Sequence, residues 1–347
     1  MPSHQLTADK LTADSYIRRG LFIKTEPSGG ILRGTHRLRV MSFNVRGSFR
    51  DATNKNAWRN RAALNVATIK RCAPDVIGLQ ESQRGNLATY RRHLPRYVQI
   101  RGPRYGNAFP YDSNAILYDP EKLRPLDTGG FWLSETPEKH SRSWGTRVAR
   151  SATWALFALR HADLSILHLN THLDHVSAPA RREGTKLVVE KIAEISGRTG
   201  DTPAIILTGD FNARPNSATH KNLVESGFMD TYLAAGNEED QCSNTFHAFE
   251  GKSYRDKHPA RGPRRIDWLL LKDPRGRLRT ESHSIIRDAE EDAGLYPSDH
   301  YPIVADFRLQ VSGTRARRQC PTENEEGSPE NEAPFLQARL AAHDRTR

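Results

Sequence analysis

Cysteine is scarce in this chain: Cys72, Cys242 and Cys320 stand far apart in 347 residues. An odd number at wide spacing offers neither a disulfide framework nor a cysteine-based zinc site. Long apolar runs are missing too. No window approaches the roughly 18–20 consecutive apolar residues of a membrane helix, and Met1-Pro2-Ser3-His4-Gln5 lacks a basic segment leading into an apolar one. The expectation is a protein with no membrane insertion and a cytoplasmic location. Lysine is sparse beside arginine, 12 against 40, and no dense basic run interleaved with aromatics marks a long nucleic-acid track.

What is present is a polar, basic chain with a mean hydropathy of -0.70 and a formal charge of +11. Residues 1–36 hold 5 basic and 3 acidic side chains and residues 313–347 hold 6 of each, so most of the excess lies in 37–312. A basic body suits a polyanionic partner, either a phosphorylated small molecule or nucleic acid. No protein partner is inferable. Residues 1–36 and the Glu-rich, Pro-containing 313–347 read as polar appendages, with a short amphipathic turn around Phe335 and Leu340, to one domain over 37–312.

Within 37–312 short β-rich runs alternate with helical periodicity. Strands are expected over 39–45, 75–80, 114–118, 153–159, 164–170, 204–207, 265–271 and 302–307, and helices over 57–70 and 180–195. Ala155-Leu156-Phe157-Ala158-Leu159 is wholly apolar, which implies a strand buried on both faces. The pattern asks for an α/β fold of packed sheets covered by helices.

Polar residues that are costly to bury sit at the ends of these runs. Asn44 closes the first strand, Glu81 follows the second, His172, Asp174 and His175 follow the fifth, and Asp210 and Asn212 follow the sixth. Asp267 lies inside the apolar run Arg265 to Leu271, and Ser298-Asp299-His300 precedes the last strand. Strand ends are where a rigid scaffold presents groups to a cleft. The donor chemistry suits magnesium, which takes hard oxygens such as those of Glu81, Asp299 and the Asn44 carbonyl. Zinc would want a cluster of His and Cys, and His172 and His175 have no thiolate to join them.

In order along the chain, Ser42-Phe43-Asn44-Val45, Gln80-Glu81, Asn170-Thr171-His172, Gly209-Asp210-Phe211-Asn212, Arg265-Ile266-Asp267 and Ser298-Asp299-His300 resemble the endonuclease/exonuclease/phosphatase superfamily. Gly129 to Pro137 is similar to an uncharacterised bacterial and fungal branch, and Asn170-Thr171-His172-Leu173 has some likeness to deadenylases.

The resemblance implies a four-layer α/β/β/α sandwich of two mixed sheets flanked by helices. It implies a phosphoric ester hydrolase using Mg²⁺, with Mn²⁺ as a possible substitute. Asn44, Glu81 and Asp299 would hold the metal, Asp210 and Asn212 would orient and activate the attacking water, His300 with Asp267 would move protons or balance charge, and His172 would bond the non-bridging oxygens. In abasic-site endonucleases an Asp stands where this chain has Arg46, which speaks for a phosphate grip there. The reading is a phosphoesterase acting on a small or short phosphorylated substrate. A deadenylase-like or deoxyribonuclease-like nuclease and a non-catalytic binding module on the same fold stand as alternatives.

Further substrate contacts are expected from Arg46, Arg142, Trp144 and His175. Trp132, His247 and Phe249 are candidates to stack on a substrate ring, and 252–265 is expected as a mobile basic loop over the cleft.

Overall fold

The computed structural model describes residues 37–49, 54–103, 113–240, 242–261, 264–289 and 294–310. The expected appendages, including the C-terminal amphipathic turn, lie outside these residues, as does Cys320.

Twelve strands form two sheets of six. The first holds β1 (Arg37–Asn44), β2 (Val76–Gln80), β3 (Val98–Ile100), β4 (Ile116–Tyr118), β11 (Leu278–Ile285) and β12 (Ile303–Leu309), in the order β11-β12-β1-β2-β4-β3. The second holds β5 (Leu123–Trp132), β6 (Ser151–Leu159), β7 (Ser165–His172), β8 (Ala204–Asp210), β9 (Met229–Asp230) and β10 (Asp267–Lys272), in the order β5-β6-β7-β8-β10-β9. Helices α1 (Trp58–Cys72) and α2 (Arg84–His93) cover the first sheet, and α3 (Ala178–Gly197) and α4 (Ala218–Glu225) cover the second. Shorter helices α5 (Thr231–Ala234) and α6 (Ser253–Lys257) complete the set among the described residues.

The layering follows from strand periodicity. In β1, Leu38 and Val40 face one core, while Met41 and Phe43 face another that contains Val66 and Ile69 of α1 and Leu87 and Tyr90 of α2. In β7, Ile166 joins the core shared with Leu38 and Val40, whereas Leu167 and Leu169 pack with Val188, Ile192 and Ile195 of α3. One core therefore lies between the sheets and one under each helical layer, so the central strands are apolar on both faces. This is the four-layer α/β/β/α sandwich.

The inner face changes character along its length. Leu38 and Val40, Val76, Ile166, and Ala204 and Ile206 make its apolar end. Continuing by twos along the same strands, that face carries Ser42 and Asn44, Gly78 and Gln80, His168, Asn170 and His172, and Thr208 and Asp210. The polar groups there pair across the gap. Gln80 donates from Nε2 to Ser42 Oγ at 3.1 Å and to Asn170 Oδ1 at 2.6 Å, and Asn170 donates from Nδ2 to the carbonyls of Leu79 and Ala115 at 2.8 and 3.1 Å. Gln80 and Asn170, both in motif stretches, thus tie one sheet to the other. Gly78 permits the close approach: a Cβ there would lie 2.2 Å from Thr208 Oγ1 and 2.6 Å from Asn170 Oδ1.

Segment 252–265 differs from expectation. Its described part is a helix, α6, followed by a 3-10 turn over Pro259–Arg261. Tyr254 is buried beneath it, and Arg265 is buried in an ion pair with Asp230 at 2.6 Å. Apolar and paired anchors at both ends override the Gly/Pro-rich composition that suggested a loop.

Candidate active site

Strand direction brings the polar ends together. β1 and β2 run parallel with Asn44 opposite Gln80, and β7 and β8 run parallel with His172 opposite Asp210, so all four strands end at one edge of the sandwich. β10 is antiparallel to β8, which sets Asp267, its first residue, beside Asp210. β12 is antiparallel to β1 and starts at Ile303 opposite Ser42, so Asp299 and His300 just before it reach the same edge.

Asp210 is the hub. Its Oδ1 accepts from the Asn212 amide at 2.9 Å, which turns Oδ2 toward the cleft. Around Oδ2 stand Asn44 Nδ2 at 3.0 Å, His172 Nε2 at 3.4 Å and His300 Nε2 at 3.7 Å. Asn212 Nδ2 lies 3.0 Å from His172 Nε2 and donates to the Leu173 carbonyl at 3.1 Å. His300 donates from Nδ1 to Asp267 Oδ2 at 2.9 Å. Asn44, His172, Asp210, Asp267, Asp299 and His300 are all buried.

Burial decides the charges. Desolvation, followed by the neighbouring Asp267 charge, pushes the Asp210 carboxyl up to about 7. For His300 desolvation acts downward, but the carboxylates of Asp267 and Asp210 outweigh it and hold the imidazolium up to about 10. The neutral-pH state is a protonated His300 between two carboxyl groups, one of which sits close to its own titration point. Asp210, Asp267 and His300 offer atoms within 4.8 Å of one another.

On the other side of the cleft Asn44 Nδ2 also donates to Glu81 Oε1 at 3.3 Å. Asn44 Oδ1 accepts the Arg46 amide at 3.1 Å, so the Asn44 nitrogen, and not the oxygen expected as a ligand, faces the carboxylates. Arg46 Nη1 lies 3.3 Å from Asp299 Oδ2. Arg46, Glu81 and Asn212 all adopt left-handed backbone, with φ of 52°, 55° and 47°. Such conformations are held against local preference and gather at functional sites. The turn at Arg46 is fixed by the fully buried Arg61 of α1, whose guanidinium donates to the carbonyls of Val45 at 2.7 Å, Gly47 at 2.8 Å, Pro297 at 3.0 Å and Arg46.

The cleft encloses about 330 Å³, lined by Arg46, Glu81, His172, Asp210, Asn212, Asp299 and His300 together with His175, Arg150, Arg264 and Phe246. His175, expected as a substrate contact, is among the lining residues, with its Nδ1 3.2 Å from Arg150. Arg142 and Trp144 do not line it; Arg142 donates to the Arg147 carbonyl at 2.9 Å. Nor do the aromatics singled out earlier. Trp132 is buried beside His140, His247 is buried and stacked on Tyr301 with centroids 4.0 Å apart, and Phe249 lies by Arg61. The aromatic that lines the cleft is Phe246, edge-on to His300 at 5.0 Å with Arg264 over its ring at 4.6 Å. Arg150, Arg264 and Phe246 come from loops with no motif spacing. Only the fold shows Arg150 and Phe246, whereas Arg264 belongs to the basic stretch 252–265 expected over the cleft.

Fit to a divalent ion rests on donor chemistry. Glu81, Asp299 and Asp210 present hard carboxylate oxygens in one cavity with no thiolate among its described lining, the set a magnesium-class ion takes.

Comparison with known proteins agrees with this geometry. The endonuclease/exonuclease/phosphatase family model matches residues 41–300. Tyrosyl-DNA phosphodiesterase 2 of Rattus norvegicus is 21% identical over 291 residues, covering 83% of this chain and 71% of that protein. A mannosyl-6-phosphatase of Bacteroides thetaiotaomicron superposes with a TM-score of 0.70 at 27% identity, covering 78% of this chain and 100% of the other. An endonuclease/exonuclease/phosphatase family protein of the same organism gives a TM-score of 0.70 at 26% identity, covering 80% and 100%. The motif series from Asn44 to His300, the two-sheet sandwich that gathers it and the family match over 41–300 together establish that the chain belongs to the endonuclease/exonuclease/phosphatase family of phosphoester hydrolases.

Proposed function

We propose that the cleft hydrolyses a phosphate monoester of a small or short phosphorylated molecule, with Mg²⁺, by in-line attack of water. The observation that carries this reading is the buried His300–Asp267 pair beside Asp210, with His300 Nε2 3.7 Å from its Oδ2, on the wall of a cavity sized for a small ligand. Enzymes of this family typically depend on a divalent metal. Glu81 and Asp299 would hold it, with Asp210 beside them and the Asn44 oxygen available if its amide turned over. The ion would polarise a phosphoryl oxygen and steady the leaving oxygen.

The chain's own groups do the rest. Asp210, tuned toward neutrality, takes a proton from the attacking water, and the Asn212 amide keeps the accepting oxygen aimed. His300 stays protonated because Asp267 fixes Nδ1–H, so Nε2–H is presented to charge developing on the phosphoryl oxygens. His172 reaches the same oxygens from β7. Arg46, Arg150 and Arg264 neutralise the incoming phosphate. The site's carboxylates argue against a non-catalytic module, since burying them without a task is expensive.

The likeness to a mannosyl-6-phosphatase favours a monoester. The likeness to a tyrosyl-DNA phosphodiesterase supports the second reading, a diesterase or nuclease. Incubation with Mg²⁺ and a panel of hexose 6-phosphate, nucleoside monophosphate, oligoribonucleotide, oligodeoxynucleotide and 5′-tyrosyl oligonucleotide separates them. Phosphate release from monoesters is expected. Cleavage of the diesters alone selects the second reading, and turnover of none with a folded protein overturns both.

A further inference from the structure

Asp267 opens β10 in the second sheet, and His300 stands just before β12 in the first. Their 2.9 Å contact therefore depends on how the margins of the two sheets are fixed to each other. Residues 245–248 pass between these segments and bond to both. On one side His247 and Ala248 donate their amides to the Asp299 carbonyl at 2.9 and 3.1 Å, Phe246 pairs with His300 as an antiparallel bridge, and the Tyr301 amide donates to the Thr245 carbonyl at 2.7 Å. On the other side the amides of Thr245 and Phe246 donate to the Arg264 carbonyl at 3.1 and 3.3 Å.

The two sides meet at Thr245, which is fully buried. Its hydroxyl accepts from the amides of Ile266 at 3.0 Å and Asp267 at 3.1 Å and donates to the Arg264 carbonyl at 3.3 Å. A hydroxyl has one proton and two lone pairs, so its whole capacity is spent on residues 264–267. The place calls for such a group. β8 pairs with β10 up to Asp267 on one flank, but on the other flank β9 pairs only with Leu270 and Leu271 and stops short of it. The carboxylate itself has little else to aim it: no described residue hydrogen-bonds Asp267 Oδ1, so the direction of Oδ2 toward His300 follows from where the backbone sets the side chain.

Hydrogen bonds weaken steeply with misalignment, and small displacements of a positioned group cost large factors in rate. We propose that Thr245 is a positioning residue of this site: its hydroxyl fixes the Asp267 backbone, and its carbonyl the Tyr301 amide, at the spacing that lets the Asp267 carboxylate hold His300 Nδ1–H. The proposal rests on the reading of the cleft as a phosphoesterase served by that pair. A threonine with a packing role only is the competing account. It would support stability through its buried methyl and leave the turnover of folded protein unchanged.

The test compares Thr245→Val, which removes the hydroxyl at nearly constant volume, with Thr245→Ser, which keeps the hydroxyl and removes the methyl. On folded protein, checked by circular dichroism, kcat and KM are measured on glucose 6-phosphate with Mg²⁺. The far-downfield proton NMR signal of His300 Nδ1–H, assigned by its loss in His300→Ala, reports the pair independently of turnover. Thr245→Val should lower kcat by about tenfold or more with KM within about twofold, and should broaden or abolish the NMR signal. Thr245→Ser should restore both. Because Thr245 acts through Asp267, adding Thr245→Val to Asp267→Asn should change kcat by no more than about twofold. If Thr245→Val does not fold, Thr245→Ala takes its place, and Thr245→Ser alone still decides: a folded serine variant with a large loss of kcat would assign the residue to packing. Wild-type kcat and signal in a folded variant without the hydroxyl, or additive losses in the double variant, would likewise overturn the proposal. A signal lost in Thr245→Val and regained in Thr245→Ser, in a protein that turns over no phosphate ester, would support the positioning role while striking the assignment of hydrolysis to the cleft.

Discussion

On the proposed reading, three side chains decide whether this cleft can do chemistry. His300 keeps its proton because Asp267 binds Nδ1 at 2.9 Å and Asp210 stands 3.7 Å from Nε2. Burial by itself would strip the ring of charge, and the carboxylates of Asp267 and Asp210 outweigh it. His300→Ala and Asp267→Asn should therefore each lower kcat by roughly 10² or more, and the double variant should be little worse than either single one, because the pair acts as a unit. Steady-state kinetics on folded variants measures this; additive losses, or a near wild-type Asp267→Asn enzyme, would leave His300 without its partner. At this scale the sequence was informative wherever a costly polar residue ended an apolar run, as at Asn44 and Asp210, or sat within one, as at Asp267. It was silent on Arg150 and Phe246, which line the cleft through tertiary packing of loops, while Arg264 belongs to the basic stretch 252–265 expected over the cleft. It also misled at Trp132 and His247, where aromatic character reported burial.

The elements hold these side chains by two devices, a polar seam between the sheets and a guanidinium clamp. Gly78 lies in the seam, where an added methyl would meet Thr208 and Asn170 side chains. Gly78→Ala should destabilise the protein by about 1–3 kcal/mol, the usual cost of overpacking, seen as a lower denaturation midpoint in urea. An unchanged midpoint would mean the sheets can part there without loss. Arg61 reaches carbonyls on either side of the cleft entrance, from Arg46 and Gly47 and from Pro297. Arg61→Met should cost on the order of 3 kcal/mol through carbonyls left without donors, and should also depress kcat by loosening the Arg46 turn, whereas a stable variant of full activity would reduce the clamp to packing. The central strands were legible as apolar runs because both their faces are covered. β5 was not, since it is an edge strand with Pro125, two glycines and mostly exposed side chains. α2 escaped as well; its buried face is only Asn86, Leu87 and Tyr90, and its capping box uses Gln83 and Asn86 in place of the familiar Ser or Thr.

The whole molecule stakes its stability on buried neutral imidazoles as well as on its cores. Burial holds His168 and His283 down to about 3. An unfolded histidine titrates near 6.5, so below that value the unfolded chain binds the more protons and stability falls as pH drops toward 3. Asp230, held down to about 2 by His220 and Arg265 against the desolvation that opposes them, adds a loss in the acid range below the ordinary carboxylate value. Asp210 and His300, raised to about 7 and about 10, work in the opposite sense and lose stability as pH rises toward those values. The thermal midpoint should therefore peak near neutrality, decline from there to pH 4 because the buried imidazoles outnumber Asp210, and decline again toward pH 10; a midpoint that rises steadily as pH falls from 6.5 to 4 would show these imidazoles to be solvated. On the proposed reading, function at this scale depends on the sandwich delivering hard oxygens from both sheets to one edge, Glu81 and Asp299 from the first and Asp210 from the second. The most direct measurement is inorganic phosphate release from a hexose 6-phosphate by EDTA-treated protein as Mg²⁺ is titrated back, for the wild type and for Glu81→Gln. The expected result is no release without metal, saturable recovery in the wild type, and a requirement shifted to higher Mg²⁺ by roughly tenfold or more in a variant that remains folded. Full turnover in metal-free buffer, or the same Mg²⁺ dependence in both proteins, would contradict a metal-assisted phosphoesterase built on Glu81.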